Sequence, residues 1–143
     1  MVGISSAQWR KQESASRNTV EPSQELNEKL LSVRNLRDAP HPIGSNLPLE
    51  SPKRPQPSDA ARHIIREALK TPEKEKLIVA ILKPCTNLAS AVLMEPKIIP
   101  RVSCHFIGLH YDHKQKSWSR SEFNTDNHPI ALEVLLNTAL DSK

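Results

Sequence analysis

The chain has 143 residues, 37% of them hydrophobic and 25% charged, with a formal net charge of +4 and only 3% aromatic residues. That length suits one domain, and no apolar run approaches the ~20 residues that a bilayer-spanning helix needs. Lys and Arg are spread along the chain with few aromatics between them, so neither a nucleic-acid stacking surface nor a membrane partner is expected.

The N-terminal MVGISSAQWRKQ lacks the long apolar core of a secretory leader. A cytoplasmic location is the expectation. VGISSA at 2–7 reads as a short strand and RKQESASRNT at 10–19 as loop. Trp9 is either a packed aromatic or a pocket wall. PSQELNEKLLSV at 22–33 places Leu26, Leu30, Leu31 and Val33 mostly at helical spacing, with Ser23 as N-cap. Residues 38–57 hold six of the twelve prolines, which predicts an irregular excursion, neither helix nor central strand.

SDAARHIIREALK at 58–70 is the clearest helix. Ser58 can cap it, Asp59 suits its first turn, and Ala61, Ile64, Ile65, Ala68 and Leu69 form one apolar face. LIVAIL at 77–82 is a continuous apolar run, as in a strand buried on both faces. TNLASAVLMEP follows as a helix and VSCHFIGL at 102–109 as a second buried strand. HYDHKQKSW reads as loop, and PIALEVLLNTAL at 129–140 as a helix with Pro129 in its first turn. Alternating strands and helices predict an α/β fold with a mostly parallel sheet and flanking helices. Ligands of such sheets bind beyond the carboxyl ends of the strands.

Two segments fall at those ends. In KPCTN at 83–87, Thr86 or Asn87 can cap the next helix, while the turn exposes the carbonyl of Leu82 as a cation ligand. In SEFNTDNHP at 121–129, an extended backbone would point Phe123 into the core. Glu122 and Asn124 would then share the other face, roughly 7 Å apart. A carboxylate beside an amide suits neighbouring hydroxyls; the plainer reading is a polar strand end with one core anchor. His105, His110 and His113 with Asp112 match no metal-ligand spacing. Three glycines hardly build a phosphate loop. Cys85 and Cys104 lack zinc-site pairing and lie in apolar segments, as buried free thiols do; the sequence leaves a disulfide between them open.

With these residues in place, the chain resembles the inosine/uridine-preferring nucleoside hydrolase family. GISSAQW, SDAARHIIREAL, LIVAILKPCTNLASAVLMEPKI, VSCHFIGL and SEFNTDNHPIALEVLLNT resemble family segments in family order, and together span nearly the whole chain. The resemblance implies hydrolysis of the N-glycosidic bond of ribonucleosides, assisted by a calcium ion. It implies that Glu122 and Asn124 grip ribose hydroxyls. It also implies that the Leu82 carbonyl contributes to the calcium site and that Ile107 lies under the sugar.

The departures are as specific. The family's N-terminal Asp cluster, which supplies most metal ligands and the base, is missing, and no Asp-Asp pair occurs. Arg10 lies near the position of a ligand-bearing Asn, and His128 stands where an aspartate is common. The family's C-terminal half has no counterpart. The expectation is therefore a partial nucleoside-hydrolase-like domain over 1–143, inactive as given, with no catalytic residue assigned and calcium not bound. The alternative is a non-catalytic remnant acting as a weak sugar-binding or interaction module; self-association is left open.

Overall fold

A computed structural model describes residues 2–9, 18–119 and 122–142. Arg10, Ser121 and most of the loop expected at 10–19 lie outside the described residues. The architecture is mixed α/β. Its elements are helices α1 (Val20–Val33), α2 (Asp59–Lys70), α3 (Thr86–Met94), α4 (Phe123–Asn127) and α5 (Pro129–Leu136), with strands β1 (Leu77–Ile81), β2 (Val102–Phe106), β3 (His110–Asp112), β4 (Ser117–Ser119) and β5 (Asp141–Ser142). No described helix is long and apolar enough to cross a membrane.

β1 and β2 pair in parallel from Leu77↔Val102 to Ile81↔Phe106, and β5 adds two residues to the far edge of β2. α3 and a 3₁₀ turn at Pro96–Arg101 connect the two main strands. The core lies on one face of this sheet. Ile81, Val102 and Cys104 pack there with Leu88 and Val92 of α3, Ala61 and Ala68 of α2, and Val134 of α5. Side chains alternate across a strand, so Ile78, Ala80 and Leu82 point to the opposite side. That side is open: Ile78 is 68% and Leu82 66% exposed. The strand expected to be buried on both faces is thus covered on one only.

α2 forms as its sequence predicts. Ser58 Oγ accepts the Ala61 N–H at 3.1 Å, Asp59 sits in the first turn and Lys70 in the last. Ala61 and Ala68 are fully buried, Ile64 and Ile65 pack on the core edge, and Leu69 faces out. α1 departs further. It begins at Val20, where Asn46 Oδ1 takes the backbone N–H groups of Thr19 and Val20 from a distant loop. Ser23, expected as the cap, is buried inside the helix with its Oγ on the Ala7 N–H. Of the apolar residues at helical spacing only Leu31 is buried; Leu26, Leu30 and Val33 face outward.

Residues 2–9 form no strand. Their partners are a loop and a side chain rather than a neighbouring strand: Ile4 N–H donates to the Pro40 carbonyl at 2.9 Å, and the His63 ring meets the Val2 carbonyl at 3.0 Å. Between 34 and 58 there is neither helix nor strand, although Leu49 from this stretch is buried in the core. The segment expected as loop at 110–118 is a hairpin. Tyr111 faces Trp118 across it with ring centroids 5.0 Å apart, an aromatic pairing that stabilises adjacent strands. Asp112 closes the turn by accepting the Lys114 and Gln115 N–H groups.

Candidate functional site

Beyond Ile81 and Phe106 the two parallel strands part, and the chain is tied across the opening by side chains. Ile107 N–H donates to the Ile81 carbonyl at 3.1 Å, which extends the ladder by one bond. The Ile107 carbonyl then accepts Asn124 Nδ2 at 2.8 Å, and the Gly108 carbonyl accepts the Thr125 hydroxyl. A Cβ at Gly108 would meet the Phe106 ring, which would have to swing aside to admit it. Leu82, Ile107, Glu122 and Asn124 are thereby brought to one end of the sheet. Leu82 and Ile107 are largely exposed, whereas Asn124 is buried.

The backbone of this segment is not extended. Glu122 is the N-cap of α4, and its Oε2 accepts both Asn124 N–H (2.8 Å) and Thr125 N–H (3.1 Å). Asn127 Nδ2 also donates to the Phe123 carbonyl. These short-range bonds satisfy the first turn of a helix locally, and alternation no longer applies. Phe123, expected in the core, is 47% exposed. Asn124 turns inward instead of sharing a strand face with Glu122. Both cap bonds fall on Oε2, leaving Glu122 Oε1 outside the cap, and Asn124 uses its Nδ2 on Ile107, leaving Oδ1 outside that bond.

Behind this end lies a buried polar junction that the sequence did not announce. His128 is 2% exposed. Its Nε2 accepts the Leu49 N–H at 2.7 Å, so the neutral ring carries its proton on Nδ1 and donates it to Thr86 Oγ1, also at 2.7 Å. Burial pushes the His128 pKa below the ordinary value, favouring that neutral ring. Asn87 Nδ2 donates to the Ser6 carbonyl at 2.8 Å, and its Oδ1 accepts the Ser45 N–H. Gly44 N–H reaches Ser6 Oγ, and a Cβ at Gly44 would collide with the Ser6 carbonyl and come within 2.8 Å of the Asn87 amide. Gln8, fully buried, approaches Thr86 Oγ1 at 3.5 Å. Thr86 and Asn87 therefore do not cap α3. Cys85 holds that position without a side-chain bond, and the two polar side chains bind three distant segments instead.

Neither cysteine offers a nucleophile. Both are free and buried; desolvation pushes Cys85 up to about 12 and raises Cys104 as well. Trp9 is half-buried, with its backbone N–H on Thr19 Oγ1. A hard divalent cation such as calcium takes six to eight oxygens. Leu82 contributes one carbonyl here and Glu122 one capping carboxylate. Among the described residues no group of three or more His, Cys, Asp and Glu could hold a metal ion. The donors present do not fit a calcium site. No family model matches the chain, and no curated protein matches it.

Proposed function

We propose that this chain is a nucleoside-hydrolase-like module that binds the cis-diol of a ribonucleoside weakly at the strand ends and does not turn it over alone. The observation that carries the reading is the Asn124 Nδ2 bond to the Ile107 carbonyl. It holds the amide beside the Glu122 cap, at the carboxyl ends of parallel strands where α/β sheets take ligands. Glu122 Oε1 and Asn124 Oδ1 are two acceptors outside the internal bonds, which is what two adjacent hydroxyl donors require. The exposed apolar side chain of Ile107 provides a surface for the sugar ring.

The lack of turnover follows from how the other groups are engaged. Glu122 is held by two backbone N–H groups, and both ring nitrogens of His128 are committed inside the protein. A general base must reach the proton it removes, and neither the buried His128 nor the protonated thiols can. The test is an amide NMR titration with inosine and uridine, alongside their 2′,3′-dideoxy analogues. Saturable shifts at Ile107 and 122–125 with the ribonucleosides alone are expected, without free base in solution. Equal responses to the dideoxy analogues, or none at millimolar ligand, would remove the diol site; base release above a blank would remove the claim of inactivity.

A further inference from the structure

We propose that Ser51 is a phosphate-acceptor site for a proline-directed protein kinase. In two places a hydroxyl residue precedes proline and a base stands third along: Ser51, Pro52, Lys53, Arg54 and Thr71, Pro72, Glu73, Lys74. Proline brings no N–H that a cleft must satisfy, and it biases the residue before it toward the extended backbone that an acceptor adopts in a kinase cleft. The base offers a charge for a carboxylate of the kinase. No other Ser or Thr in the chain is followed by proline. By sequence the two segments are near equivalents; their surroundings in the fold separate them.

Ser51 opens a surface turn. A long backbone bond closes it, from the Arg54 N–H to the Ser51 carbonyl at 3.3 Å, and Glu50, Pro52, Lys53 and Arg54 are all exposed. Ser51 Oγ accepts the Lys53 N–H at 3.4 Å, and its own hydrogen goes to no described residue. In the transfer a base of the kinase takes that hydrogen as a proton. The oxygen bonds to the γ-phosphorus of ATP, and the bond from that phosphorus to the departing ADP oxygen breaks. The new dianion meets the Lys53 N–H and the Arg54 guanidinium, whose present partner is Glu50 Oε2 at 3.5 Å, an exposed pair of little strength. Thr71 is committed instead. Its hydroxyl donates to the Glu67 carbonyl at 2.9 Å, its N–H to the same carbonyl at 3.1 Å, and its own carbonyl accepts Arg101 at 3.0 Å. These bonds finish the C-terminus of α2, where a phosphate would also oppose the helix dipole.

Incubation of the folded full chain with a purified cyclin-dependent kinase and ATP, with the phosphate mapped by mass spectrometry, tests this. A single phosphate on Ser51 is expected. Ser51→Ala should abolish incorporation, and Thr71→Ala should leave its rate unchanged. Ser51→Thr should still accept phosphate at position 51, which separates loss of the hydroxyl from any folding defect of Ser51→Ala. Pro52→Ala should slow the reaction about tenfold or more, because it brings an N–H into the cleft without a partner. Arg54→Ala should slow it severalfold, with far-UV circular dichroism unchanged. No incorporation into the folded chain, Thr71 modified as fast as Ser51, or a rate indifferent to Pro52 would each overturn the proposal.

Discussion

The chain is held by two buried regions built on opposite terms. Under the helices, Leu88, Ile98 and Val102 form an apolar core in which every contact is non-directional. At the strand ends, Thr86, Asn87 and His128 form a polar junction in which each side chain has a named partner. The core tolerates apolar residues of similar volume. The junction does not, because removing one member strands the other in a place without water. The difference is one of fault tolerance: the core fails by degrees, the junction partner by partner.

The largest effect should come from the core. Ile98→Ala removes a fully buried side chain from the 3₁₀ turn between α3 and β2. A cost of about 2–5 kcal/mol is expected in urea unfolding, because a cavity is left as well as a transfer term lost. The junction should follow. Asn87→Ala leaves the Ser6 carbonyl and the Ser45 N–H without their amide, at about 1–3 kcal/mol. If Asn87→Ala costs nothing while Ile98→Ala costs several kcal/mol, the junction is no anchor.

The two regions also differ in how far the sequence reveals them. β1, α2 and α5 were legible because apolar periodicity, the Ser58 cap and Pro129 at the helix start are local signals. The junction was not. His128 meets Leu49 and Asn87 meets Ser6 across about eighty residues, and no local pattern encodes such a meeting. Gly44, whose missing Cβ admits Ser6 and Asn87, was the one visible trace. The open face of β1 was misread for a related reason: a continuous apolar run states that a strand can be buried on both sides, not that anything covers it. At the candidate site Asn124 meets the Ile107 carbonyl, but the extended backbone assumed for Glu122 to Asn124 was displaced by a cap and helical turn, since a carboxylate within reach of two N–H groups wins locally.

Acid should separate the two regions without mutation. The His128 pKa is lowered in the folded protein from an ordinary 6.5. The unfolded chain therefore takes up the proton first as pH falls. The stability that His128 contributes is fully present above about pH 7 and is lost as pH falls toward its folded pKa. The cause is burial: a charged ring would sit away from solvent, between Leu49 and Thr86, with no carboxylate beside it among its bonded partners. Urea midpoints measured from about pH 7.5 down to 5.5 should fall more for wild type than for His128→Gln, which lacks the titration. Parallel curves for the two proteins would detach His128 from the pH response.

The smallest effects should lie at the surface of the candidate site, where Glu122 and Phe123 exchange the importance their sequence suggests. Glu122→Ala removes the acceptor for two N–H groups of α4 and should cost about 1 kcal/mol, the usual size of a lost cap. Phe123 is the larger and more apolar side chain, and in an extended segment anchored in the core its truncation would cost about 3–5 kcal/mol. In the helical segment it is half exposed, so truncating it removes less buried apolar surface than truncating a core side chain. Phe123→Ala should therefore cost less than about 1 kcal/mol, no more than Glu122→Ala. Urea unfolding of the two single variants decides the order. A Phe123→Ala cost near 3 kcal/mol would return the segment to an extended strand end, with Phe123 in the core and Glu122 and Asn124 side by side on its outer face.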